Sequence, residues 1–171
     1  MLGGEGIDLG RLWTAEQTHG DGVAVVDGAD GEEVASVDGL VTAGPGRVLG
    51  IVVADCCAVY LVDPVRRACG LVHSGRKGAE AGIAGKAIGL MEEQFGSRAG
   101  DLVVVLSPCI RPPAFEVDVA RLVVESCLER GVRREAVSDG GVCTFENVER
   151  YYSYRREKGR TGRMLAYLGF R

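Results

Sequence analysis

Short apolar runs separated by glycine set the rhythm of this chain. "GVAVVDG" (22–28) and "DGLVT" (38–42) read as short strands bounded by turns, with "GADGEEVAS" (28–36) a polar surface loop between them. "RVLGIVVADC" (47–56), "CAVYLVDP" (57–64) and "ACGLVHS" (68–74) are further strands, and "DPVRRA" (63–68) turns the chain between the last two. These runs are continuous rather than alternating, which predicts strands covered on both faces.

The period then changes. Ile83, Ala84, Ala87, Ile88, Met91 and Phe95 recur at helical spacing and predict a helix from about Ala79 to Phe95. "DLVVVLSP" (101–108) returns as a central strand. "EVDVARLVVESCLERG" (116–131) predicts a second helix, with Asp118 as N-cap, Gly131 as C-terminal stop, and a buried stripe of Val119, Leu122, Val123 and Leu128. The tail (145–170) predicts a short helical turn, a polar loop and a last strand. Strands dominate, and two helices stand at intervals. The pattern predicts an α+β layered fold with mixed sheets and helices outside them.

At 171 residues the chain is expected to form one domain, 1–171, with no repeat, low-complexity tract or dividing linker. Its net charge of −4 disfavours a non-specific nucleic-acid binder, although the C-terminal stretch from Arg150 to Arg171 is locally basic. No apolar run approaches a membrane span, and "MLGGEGIDLG" (1–10) lacks the pattern of a signal peptide. A cytoplasmic protein is the expectation. The six cysteines show no CxxC pair and no disulfide-framework spacing. Cys69, Cys109 and Cys127 read as small buried apolar residues.

The chemistry gathers at three element ends. Asp55 and Cys56 close a buried strand run, and His73 ends another, with glycines after it. His19 lies in "EQTHGDG" (16–22), again beside glycine, and these are the only two histidines of the chain. Cys with two His suits a catalytic zinc with one open position. The same residues suit a Cys–His nucleophile pair without a metal. Neither HExxH nor CxxC is present, so spacing alone leaves both readings, and that of two ordinary turn histidines, open. Cys57 is the packing cysteine, because successive strand residues face opposite sides.

An ordered set of motifs adds to this: "QTHG", "DGLVT", "GIVVADC", "HSGRKG", "SPCI" with "FEVD", "CT", "YYSYRR" and "TGR". From about Glu16 to the C-terminus the chain resembles the YfiH-like family, also called laccase-domain or multicopper polyphenol oxidoreductase proteins. The resemblance implies a four-layer α/β/β/α sandwich with mixed sheets. It implies metal binding by His19, Cys56 and His73, which are also the catalytic residues. It implies zinc-dependent phosphorolysis of purine nucleosides (adenosine, inosine and methylthioadenosine), with adenosine deamination. The partners are then a purine nucleoside and phosphate, with no nucleic acid and no membrane, in a monomer or homodimer.

Arg76, Lys77 and Arg155 are candidates for substrate or phosphate binding, with Arg156 and Arg163 beside them, by charge and by place in the matching motifs. Family members usually carry HAGWRG where this chain has His73-Ser74-Gly75-Arg76-Lys77-Gly78. Arg76 thus replaces an indole, and Lys77 replaces a bidentate guanidinium. The family's opening segment is expected to be absent or much reduced. Copper remains possible on ligand type. Two histidines, however, cannot supply a trinuclear cluster, so a laccase-like oxidase ranks below zinc. A metal-free Cys–His hydrolase or deamidase and a catalytically inactive partner protein complete the alternatives. No role beyond packing and turn formation follows from the sequence for Cys109 or Glu116, and Cys143 is placed near the pocket.

Overall fold

The computed structural model describes residues 8–171. Two mixed sheets pack face to face. The smaller contains β1 (Leu12–Ala15), β3 (Glu33–Val34), β5 (Val48–Val53) and β10 (Met164–Leu168), in the order β10-β5-β1-β3. The larger contains β2 (Val23–Val25), β4 (Gly39–Ala43), β6 (Cys57–Asp63), β7 (Ala68–Ser74), β8 (Val103–Leu106) and β9 (Val137–Asp139), in the order β2-β4-β7-β6-β8-β9. Each sheet has both parallel and antiparallel neighbours.

The α+β class with two mixed sheets agrees with the expectation. The helices are α1 (Arg76–Glu80), α2 (Ile83–Phe95) and α3 (Val119–Glu129), and they pack on the larger sheet. Among the described residues no helix covers the outer face of the smaller sheet, where Val52, Leu165 and Tyr167 are exposed. The outer helical layer expected there is not seen, and the described residues form three layers.

Two apolar cores follow from this layering. Val41, Val59, Leu61 and Val72 meet Ile83, Ile88 and Met91 between the larger sheet and the helices. Trp13, Leu49, Ile51 and Val53 meet Leu40, Ala58 and Leu71 between the sheets. A strand with a core on each side is apolar along most of its length; β7 is buried throughout, and its polar residues, His73 and Ser74, stand at its end. β8 differs from its expected central role. It lies one strand from the edge, and Val103 and Val105 are exposed because the smaller sheet does not reach them. Cys57 sits in the helix-side core, and Cys69, Cys109 and Cys127 are fully buried, as expected.

Helix α3 begins as read: Asp118 accepts a hydrogen bond from Arg121 N–H at 3.0 Å, and Gly131 follows its end at φ 94°. Its buried residues are Val119, Ala120, Val123 and Cys127, whereas Leu122 and Leu128 are only partly buried. Five local elements depart from expectation. β1 and β9 were not anticipated, and β3 falls inside the expected polar loop, held by parallel pairing with β1. The tail forms a succession of turns before β10 rather than a helical turn. The helix expected over 79–95 is broken at Gly82, which adopts φ 70° and separates α1 from α2. No helix of the described residues is long and apolar enough to cross a membrane.

The break at Gly82 aims α1 away from the axis of α2, and only glycine takes that backbone conformation without strain. Gly82→Ala is therefore expected to lower unfolding stability by about 1–2 kcal/mol, despite alanine's higher helix propensity. Urea denaturation measures this; an equal or higher midpoint would show that the left-handed turn is not required.

Candidate metal and substrate site

Three chain segments converge where the sheets meet. β5 of the smaller sheet runs into β6 of the larger through Ala54–Asp55–Cys56, so Cys56 lies at the crossing between sheets. β7 pairs antiparallel with β6, and its register sets His73 opposite Ala58, on the side facing the smaller sheet. The loop after β1 brings in His19. One ligand atom from each of His19, Cys56 and His73 lies within 4.8 Å of the others. The two imidazoles meet edge to face, 4.8 Å between centroids. Gly75 leaves room for this: a Cβ there would stand 3.1 Å from Cys56 Sγ and 3.5 Å from His19 Cδ2.

Both histidines are held by one buried carboxylate that the sequence did not single out. Asp38 Oδ1 accepts from His73 Nδ1 at 2.7 Å and from His19 N–H at 3.0 Å. Its Oδ2 accepts from Gly20 N–H at 2.8 Å and from the Thr18 hydroxyl at 3.2 Å. The Asp38 carbonyl accepts from His73 N–H at 2.7 Å. Burial pushes the Asp38 carboxyl up, but the hydrogen bonds from His73, Gly20 and His19 outweigh it and hold the group below its ordinary range. Burial lowers His73 below its ordinary value, against the opposing hydrogen bond from Asp38. A neutral imidazole with Nδ1–H given to Asp38 leaves Nε2 free as a ligand, the usual arrangement of a metal-binding histidine.

Asp55 organises the other side. Its Oδ1 accepts from the Thr144 hydroxyl and its Oδ2 from Arg155 N–H, each at 2.7 Å, and its carbonyl accepts from Ile110 N–H at 2.8 Å. Three non-glycine residues around the site stand in the left-handed region: Gln17 at φ 60°, His19 at 59° and Asp55 at 82°. Hydrogen bonds hold each in place. The Gln17 amide, for instance, pairs with both Val52 N–H and Val52 C=O at 2.8 Å, continuing the sheet with a side chain.

The cluster lies in a cleft of about 740 Å³. Phe115, Ile110 and Tyr154 give it apolar walls, and Arg76, Arg155 and Arg163 bring positive charge. Arg155 stacks over the Phe115 ring at 4.7 Å and Arg163 over Tyr154 at 5.3 Å. Of the other residues singled out in the sequence, Lys77 is exposed and outside the cleft lining, because it lies one step along the short helix α1 from Arg76. Arg156 stacks over Phe145 at 4.9 Å and lines a separate shallow groove. Cys143 is buried behind the site, bridged through its backbone to Cys109, and does not line the cleft.

The Cys56 thiol is pushed up to about 12, first by burial and then by the charge of Asp55. Without a cation beside it, Cys56 is a thiol near neutral pH, which disfavours the metal-free nucleophile. A divalent cation would reverse that balance and stabilise the thiolate. Two imidazoles, a thiol and an oriented Asp38–His73 pair therefore form a donor set that could hold a metal ion.

Comparison with known proteins places the sequence and the fold. The chain is 27% identical to "Purine nucleoside phosphorylase YlmD" of Bacillus subtilis, over 96% of its length and 72% of the relative's. It is 32% identical to "Purine nucleoside phosphorylase SCO2081" of Streptomyces coelicolor, over 95% and 76%. The crystal structure of YlmD from Geobacillus stearothermophilus superposes with a TM-score of 0.92 at 27% identity, covering 99% of this chain and 77% of that one. A Bacillus licheniformis protein, YfiH, superposes at 0.91 with 25% identity, covering 99% and 78%. The family model "Multi-copper polyphenol oxidoreductase laccase" matches residues 3–123 and 117–171. With that match spanning nearly every residue, the chain belongs to this laccase-domain, YfiH-like family.

Proposed function

We propose that this protein is a zinc-dependent purine nucleoside phosphorylase that also deaminates adenosine. One observation carries the reading: His19, Cys56 and His73 meet in a cleft that also carries three arginines and an apolar wall with Phe115, Ile110 and Tyr154. Its size suits a nucleoside with an anion beside it. The names of the relatives from Bacillus subtilis and Streptomyces coelicolor support the same substrate class.

In phosphorolysis a phosphate oxygen bonds to the ribose C1′ as the C1′–N9 bond breaks. The electron pair of that bond leaves with the base, which takes up a proton. The protein must hold an anion and a flat base in line with each other. Arg76, Arg155 and Arg163 bind the phosphate, and Phe115, Ile110 and Tyr154 enclose the base. Glu16 and Glu33, which line the cleft from the smaller-sheet side, offer acceptors to the sugar hydroxyls. His19, Cys56 and His73 hold the zinc. When bound, it supplies Lewis acidity at neutral pH, which hydrolytic loss of the adenine amino group requires. Asp38 fixes the His73 imidazole and the backbone that carries His19, and Asp55 fixes the loop that carries Arg155.

Chromatography of products from adenosine, inosine and methylthioadenosine, with and without phosphate, tests this directly. Free base is expected only with phosphate, inosine is expected from adenosine without it, and Cys56→Ala should abolish both. Zinc-loaded protein that yields no product from any of the three would overturn the reading.

Asp38→Asn retains the shape of the side chain and removes its charge. Its amide nitrogen cannot accept from the donors that now converge on the carboxylate. Zinc affinity, measured by chelator competition, should fall about 10- to 100-fold. Unchanged affinity would show that Asp38 does not orient the ligands.

A further inference from the structure

Glu116 belongs to a motif of the sequence, yet nothing above uses it. Its Oε1 lies 3.1 Å from Arg76 Nη1 and its Oε2 lies 3.6 Å from Arg155 Nη2. The two guanidinium groups come from different segments, one opening α1 and the other in the loop before β10. A single anion with one oxygen toward each is the arrangement that inorganic phosphate would take up between them.

Neither arginine needs Glu116 for its position. Arg155 is placed by the Phe115 ring beneath it, and its backbone N–H is held by Asp55. Arg76 directs its Nε to Glu80 Oε1 at 3.0 Å. All three side chains of the Glu116 cluster are about half exposed, so the pairs contribute little to folding stability. What remains for Glu116 is charge and occupancy. Glu116 does not itself line the cleft but pairs with two arginines that do, so an anion bound to both would compete with its carboxylate, and the two negative groups repel at that range.

We propose that Glu116 is an internal anion of the phosphate site. Its carboxylate bridges Arg76 and Arg155 while the cleft is empty, and inorganic phosphate displaces it. This sets the phosphate affinity below what the two arginines alone would give. It favours an anion that engages both guanidiniums over one that reaches only one of them. The inference rests on the phosphorylase reading and names the residue that tunes its second substrate.

The test compares the native protein with Glu116→Gln, a substitution at a half-exposed side chain. Inorganic phosphate is titrated calorimetrically into each, and phosphorolysis is followed against phosphate and against nucleoside. The expected result is that the phosphate Kd and KM fall about three- to tenfold in E116Q while the nucleoside KM stays unchanged. Phosphate binding that is equal or weaker in E116Q overturns the inference, since Glu116 would then be supporting the arginines. A raised nucleoside KM overturns it too, making Glu116 a nucleoside contact. If the native protein binds phosphate and turns nucleoside over but E116Q binds no tighter, this inference alone fails. If the native protein neither binds phosphate nor forms product, the phosphorylase reading fails with it.

Discussion

The Asp38 carboxylate is the interaction on which the site depends. It is fully buried and accepts from four donors: His73, His19, Gly20 and Thr18. These donors come from the end of β7 and from the loop after β1, segments that share no backbone pairing at the site. A buried charge is tolerated only when its lone pairs are filled, and here filling them fixes the His73 imidazole and the backbone of the loop that presents His19. The loop cannot relax without exposing the charge, so the left-handed backbone of His19 is held by the bonds that position it. Strain of this kind costs about 1–3 kcal/mol per residue and persists where its surroundings over-determine it.

The second constraint is topological. A chain that leaves one sheet and enters the next must cross the gap between them, and this one crosses at Ala54–Asp55–Cys56. A crossing cannot complete either ladder, so its backbone needs other partners. The Asp55 carbonyl takes Ile110 N–H, and its carboxylate takes the Thr144 hydroxyl and Arg155 N–H, tying three distant loops to one turn. Cys56 is therefore carried on a rigid corner rather than a free loop. Positioning of that kind lets three residues far apart in sequence act as one ligand set.

Much of this was legible in the sequence, for physical reasons that differ by element. Strands β6 and β7 read clearly because a core on each face keeps them largely apolar, whereas β5 is apolar along its length although only Leu49, Ile51 and Val53 face a core and Val52 is exposed. The α2 stripe read clearly because it buries one face. β1, β3 and β9 are two to four residues long and are stabilised by partners distant in the chain, so local pattern carries little of their signal. Gly82 broke a helix whose apolar period runs straight across it. At the site, His19, Cys56 and His73 were nominated by residue type and element ends. Asp38 was not, because a carboxylate in "DGLVT" looks like any turn acid until its donors arrive from elsewhere. Lys77 looked equivalent to Arg76 in sequence, but one residue along a helix turns a side chain by about 100°.

In the proposed reading, charge placement also explains why an anion would be drawn to the arginines rather than to the metal donors. A divalent ion on His19, Cys56 and His73 would be neutralised locally by the Cys56 thiolate and the Asp38 carboxylate. It would leave little net field for a polyanion. Asp55 adds a further negative charge beside it and spends its oxygens on Thr144 and Arg155 N–H, leaving the Arg155 guanidinium free of it. Attraction of an anion thus falls to Arg76, Arg155 and Arg163, which stand on other segments of the cleft. In the proposed reading the metal donors and the arginines therefore occupy different segments of one cleft. Each can then be tuned by its own carboxylate: Asp38 for the imidazoles, Glu116 for the guanidiniums.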